Sequence, residues 1–250
     1  MPDTALLALT WRITRRKIVS SPLALAAGLA FPAFVTWVGL ADSYGTAARF
    51  FFFLLPHVFL IAAQDAVRTD IDTGALENVL FLGGRFRGFL AAKGIVLAAA
   101  AAGYAVALFG AFAVWGAVSG GFEAGFFPRF ALSVLAGAYY LALAGVLSHW
   151  LKSGSNVVAL LLAQSAALAL LVSSATAKPG LLDYAAGGPV PGLGPGLLFG
   201  ALVAVLPNLV VSGRLPLYAA EVLAGLGLAA FVQGRLVRRF EIRKEGGYRT

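Results

Sequence analysis

Six apolar stretches, at 22–41, 50–67, 89–118, 129–151, 157–177 and 217–236, take up more than half of this chain, and most of its charged residues fall in the intervals between them. Each runs to about 20 residues or more, the length of helix that crosses a bilayer. Hydrocarbon offers no hydrogen-bond partners, so a crossing segment must satisfy its backbone internally, and apolar runs of this kind do so as helices. The expected fold class is therefore all-α, a polytopic membrane protein with six transmembrane helices. Composition agrees, since 60% of residues are hydrophobic and 12% charged, against about 25% charged in soluble domains. No hydrophilic interval is long enough to fold separately. Residues 1–250 are thus expected to form one membrane domain, and any soluble catalytic domain must come from another chain.

The positions of the charges set the expected topology. With six spans and the N-terminus inside, every Lys and Arg except Arg49, Arg129, Lys178 and Arg214 falls on the inner side, as the positive-inside bias requires. The net charge of +8 then reads as a membrane-surface feature, with no nucleic-acid partner expected. The segment 196–211 is short for a span and is interrupted by Pro207. A full crossing there would move the basic tail outside, so it is expected to be an outer re-entrant or interfacial segment between spans five and six. Both termini are expected in the cytoplasm. The N-terminus, with an acid and a hydroxyl in its apolar part, does not read as a removable signal peptide.

Local patterns add detail. In 4–19, Leu6, Leu9 and Ile13 share one helical face while Arg12, Arg15 and Arg16 occupy another. That suits either a helix lying in the interface with its bases toward lipid phosphates or a basic flank that orients span one. Pro32 frees a carbonyl within span one, which neighbours or water must re-satisfy. Residues 42–49 read as a short polar turn. Phe50, Phe51, Phe52 and Phe53 then open span two, as an interfacial aromatic belt or as the wall of an apolar cavity, with the belt preferred. His57 lies about a third of the way into that span. No carboxylate other than Asp65 stands near it on the helix, which favours a neutral, hydrogen-bonded imidazole over a catalytic one. Gln164 and Ser165 form the polar pair inside span five, as interhelical hydrogen-bonding groups or ligand contacts. Residues 153–156 read as a tight turn.

The longest polar interval, 68–93, is patterned. Asp70, Asp72 and Glu77 come first, Leu76, Val79 and Leu80 follow at helical spacing, and Arg85, Arg87 and Lys93 close it. Thr73 can cap a helix starting near Gly74, with acids toward its start and bases toward its end. The expected product is a short surface helix with one apolar face. This order of residues resembles the segment between the second and third membrane helices of ABC-2 type transporter permeases. That family's run is an acidic pair, Gly-Thr-Leu-Glu, two apolar residues, Pro, Arg, and a Lys sixteen places after the Glu. Here Asp70 and Asp72 stand for the pair, Gly74, Leu76 and Glu77 match directly, Val79 and Leu80 fill the apolar places, and Lys93 falls at the Lys. Ala75 replaces the usual Thr and Gly83 the usual Pro, so this helix is expected to end differently from those of the family. The resemblance covers most of the chain, but its sharp motif lies in this interval alone.

The resemblance implies a cytoplasmic coupling helix at 68–88 that presses into a separate ABC ATPase, with Asp70, Asp72, Gly74, Leu76, Glu77, Leu80, Arg87 and Lys93 as the ATPase-coupling residues. It makes 4–19 the connecting helix, whose bases Arg12, Arg15 and Arg16 would meet Asp70, Asp72 and Glu77. Two permease copies, as a homodimer or a paralogous heterodimer, would pair with two ATPase subunits in the inner (cytoplasmic) membrane. The substrate path would run between spans one, two and five, with Phe34, Trp37, Phe53, His57 and Gln164 as candidates; helix packing would use the same residues. Export of a hydrophobic or amphipathic substrate is the expected direction. No GxxxxGK[ST] run occurs, so ATP and Mg are expected on the partner ATPase, with no cofactor, metal or catalytic residue on this chain. The alternatives are a haem-export-type permease of cytochrome c maturation, an intramembrane enzyme and an ion-coupled transporter. No HExxH or GxSxG run favours the enzyme, and no acid near mid-membrane favours ion coupling.

Overall fold

A computed structural model of the chain describes residues 4–20, 22–64, 86–151, 154–173, 192, 194, 205 and 215–247. Among them are seven helices and no strand. In chain order they are α1 (Thr4–Ser20), α2 (Pro22–Ala41), α3 (Tyr44–Ala62), α4 (Phe86–Ser119), α5 (Phe126–Leu147), α6 (Ser155–Ser173) and α7 (Leu215–Gly247). Within α3, α4, α5 and α7 lie four segments long and apolar enough to cross a membrane: Tyr44–Ala62, Arg87–Ser119, Phe126–Leu147 and Tyr218–Arg238. Large apolar side chains face outward around the bundle, with Leu40 at 78% and Val118 at 85% exposure. A surface of this kind fits surrounding lipid and would be a liability in water.

Contacts between helices fix their directions. α2 runs antiparallel to α3, since Phe31 stacks on Phe51 and Phe34 meets Phe50. α5 runs parallel to α3, with Ser133 against Phe52 and Gly137 against Phe59. α7 runs parallel to α5, with Gly225 against Tyr139 and Gln233 beside Gly145. One end of the bundle therefore gathers the ends of α3 and α5, the start of α4 and the Gln233 turn of α7. Leu6 of α1 meets Gly88 there. Arg12, Arg15, Arg16, Arg87, Arg235 and Arg238 accordingly share that end.

The start of α3 differs from the expected turn at 42–49. Ser43, extended at φ −159° and ψ 157°, accepts from the Thr46 N–H at 3.2 Å and caps a helix that begins at Tyr44. The belt reading of Phe50 to Phe53 is also corrected. Phe51 and Phe52 are buried, and only Phe50 is largely exposed. Phe51 stacks on Phe112 at 4.6 Å between centroids, Phe52 meets Phe126 at 5.5 Å, and Tyr44 stacks on Phe112 at 4.6 Å. These stacked and tilted ring pairs lock α3 to α4 and α5.

Two prolines interrupt the helices, and both interruptions are repaired from a neighbouring helix. Pro32 has no N–H for the Gly28 carbonyl, which instead accepts from the Tyr104 hydroxyl of α4. Pro56 leaves the Phe52 carbonyl free in the same way, and the Ser133 hydroxyl of α5 donates to it at 3.1 Å. Ser133→Ala should therefore lower stability in mild detergent by about 1 kcal/mol, within the range of interhelical hydrogen bonds in membranes. In a Pro56→Ala background the restored N–H can serve Phe52, so the same change should cost less. Equal losses of thermal stability in both backgrounds would mean that Ser133 does not serve that carbonyl.

Candidate functional site

The structure gathers three of the five path candidates around the middle of α6. Gln164, 3% exposed, has its Oε1 3.1 Å from His57 Nε2 of α3. Its Nε2 donates to the Val205 carbonyl at 3.3 Å. That donation makes Oε1 the acceptor, so His57 carries its proton on Nε2. The Phe53 ring lies 5.8 Å from the imidazole and the Tyr140 ring of α5 meets it edge-on at 5.5 Å. The site is thus one amide joining α3, α6 and the segment that holds Val205, with Tyr140 of α5 against the imidazole, in a setting with no charged group among these partners. It can orient a polar group of a ligand or fix helices. Among the described residues it holds no paired base and nucleophile of the kind hydrolysis needs.

Phe34 and Trp37 stand apart from it. They pair with each other on α2 at 6.0 Å, and Phe34 meets Phe50 edge-on at 5.5 Å. Both are exposed, so they form an outward aromatic patch separate from the His57 site.

The coupling candidates Asp70, Asp72, Gly74, Leu76, Glu77 and Leu80 lie outside the described residues, as do the acids expected opposite α1. Arg87 and Lys93 are on α4. Arg87 is exposed, whereas Lys93 is buried, and neither is without a partner. On α1, Thr10 and Thr14 are buried on the side that packs against α4. Thr10 Oγ1 donates to the Leu6 carbonyl at 2.6 Å, which satisfies its hydroxyl within the helix. Arg12, Arg15 and Arg16 are exposed on the face opposite these threonines, and Leu9 and Ile13 are exposed along its flank. α1 thus has three sides: one packed, one apolar and one basic.

Several residues that matter here have no clear sequence signal. Tyr140 sits in an apolar run. Asn156 belonged to an apparent turn, yet it is fully buried and bridges helix ends. His149, in the turn after α5, donates from Nδ1 to the Gly145 carbonyl at 3.1 Å, where the Ser148 hydroxyl also donates at 2.8 Å. These two bonds finish α5 by capping its last turn.

The chain matches no protein-family model, and no curated protein matches it.

Because Gln164 serves Val205 as well as His57, the two should couple unequally. Gln164→Leu should lower stability by about 1 kcal/mol and His57→Phe by less, with the double variant costing less than the sum. Strictly additive losses in a thermal double-mutant cycle would show that the two side chains do not act as a pair.

Proposed function

We propose that this chain is the membrane subunit of an ATP-driven transporter of the ABC-2 permease kind. It would have six spans, both termini in the cytoplasm, and a coupling helix in the interval 68–88. The observation that carries this reading is the run from Asp70 through Gly74, Leu76 and Glu77 to Lys93, set between two apolar helices. The gathering of the described bases of α1, α4 and α7 at one end of the bundle supports the topology, because positive residues favour the cytoplasmic side. α1 packed beside the start of α4 supports a connecting helix next to the coupling region. The bond from Gln164 to Val205 supports an outer segment at 196–211 that dips to the depth of mid-α6.

In this reading the chain binds no nucleotide. Two copies, identical or paralogous, assemble with two ATPase subunits that hold ATP and Mg. Glu77 and its neighbours dock into the ATPase, Leu76 and Leu80 supplying the buried contact and the charges setting register. ATPase closure tilts the helices that flank the path. The apolar surroundings of His57 and Gln164 favour a hydrophobic or amphipathic substrate moving outward, with the imidazole and amide meeting its polar group.

Affinity purification of the tagged chain in mild detergent tests this directly. The parent should bring down a P-loop ATPase, and Glu77→Arg should reduce its retention by about tenfold, the effect expected when a charge is reversed at an interface. A parent that purifies alone, with an indistinguishable variant, would overturn the reading.

A further inference from the structure

Among the described residues, α6 meets α3 and α5 through Leu160 and Ala167, buried in one cluster with Leu60, Ala63 and Tyr140, and through two polar ties to α3. One is the Gln164 pair. The other lies at the first turn of α6, where the loop from α5 is bonded into the end of α3. Asn156, with no exposed surface, donates from Nδ2 to the Ala63 carbonyl at 3.1 Å and to the Ala144 carbonyl at 3.2 Å. The Gly154 N–H donates to the Gln64 carbonyl at 3.2 Å. Gly154 holds φ +79°, a backbone region that disfavours L side chains. Ala63 and Gln64 follow the last helical residue of α3, and the interval 65–85 begins directly after them.

These bonds act as a C-terminal cap supplied from another helix. α3 ends at Ala62, and a buried carbonyl at a helix end is costly to leave free. A Leu of similar size at 156 would fill the space without serving either carbonyl. The amide leaves its own Oδ1 without a partner among the described residues, so its two donated hydrogens are what fit it to this position.

We propose that Asn156, together with Gly154, is a positioning device that makes the start of α6 and the end of α5 follow the end of α3. A displacement at the root of the interval 65–85 is then delivered to three helices at once. Its meaning for transport rests on the permease reading; the lock itself does not.

Hydrogen exchange on the purified chain tests the lock. In Asn156→Leu, amides at 61–64 and at 154–158 should both exchange about tenfold faster than in the parent, the effect of losing a buried bond on local opening, while α2 is unchanged. Asn156→Ser, with one donor left, should fall between them, and it carries the test if Asn156→Leu loses protection throughout. Acceleration on one side only, or on neither, overturns the lock.

Delivery is read with spin labels, which the absence of cysteine makes straightforward. One pair joins Leu162→Cys on α6 to Val114→Cys on α4, and a second joins Gln64→Cys at the end of α3 to the same α4 site. In complex with the ATPase, nucleotide should shift both distances in the parent and only the α3 distance in Asn156→Leu. A retained α6 shift in the variant overturns delivery through Asn156. If nucleotide moves neither pair in the parent, the permease reading fails, and the exchange result alone decides the lock.

Discussion

The backbone carbonyl in an apolar surrounding is the constraint on which this structure turns. Water is absent there, so a carbonyl released by a proline or a helix end must find a protein donor. Four such places are filled from another element. Tyr104 serves Gly28 and Ser133 serves Phe52, each four residues before a proline. Asn156 serves Ala63 and Gly154 serves Gln64 at the end of α3. Each repair is also a tertiary contact, tying α2 to α4, α3 to α5, and α3 to α6. Local backbone chemistry in this chain thus specifies which helices are neighbours.

Ring packing then sets how rigid those neighbours are. Burial from water cannot drive helix association in lipid, so close van der Waals contact has to. The clustered rings of Phe51, Phe52, Phe109, Phe112 and Phe126 provide it at the end of the bundle where α3 begins, with Phe109 stacked on Phe130 at 4.3 Å. Gly137 lets Phe59 lie against the α5 backbone, and a Cβ there would overlap the ring. The result is a block of α2, α3, α4 and α5 whose interior is aromatic at one end and polar-capped at the other.

Much of this was legible in the sequence because membrane helices announce themselves by length. The apolar stretches fall on helices, and Pro32 was readable as a carbonyl needing help. Its donor was not, because the approach of Tyr104 to Gly28 depends on how α2 and α4 pack, which no local pattern encodes. The early start of α3 was hidden by Ser43, since a cap and a turn use the same residue types. His57 and Gln164 were each picked out as polar groups in apolar runs, and their direct pairing emerged only in three dimensions. Asn156 illustrates the limit most clearly: in the sequence it ends a Gly-Ser-Asn run typical of a surface turn, and in the fold it is buried. The interval 68–85 shows the reverse, since its residues carry the sharpest motif in the sequence and lie outside those the structure describes.

The contrast between ring-packed and polar-tied helices also says where motion is cheap. Separating α3 from α4 would break many ring contacts together, whereas the boundary of α6 with α3, beside the aliphatic contacts of Leu160 and Ala167, is held by directional hydrogen bonds. Such bonds are directional and can exchange partners, so the part of α6 beyond its Asn156 foot can shift between discrete positions while the foot stays with the end of α3. His57 and Gln164 sit on that movable boundary, and Asn156 sits at its foot beside the root of the patterned interval. A path that opened and closed along this boundary would present its polar pair to a ligand only when α6 had moved. The same residues would then serve helix packing in one state and ligand contact in the other, and the two readings of His57 and Gln164 become two positions of a single boundary.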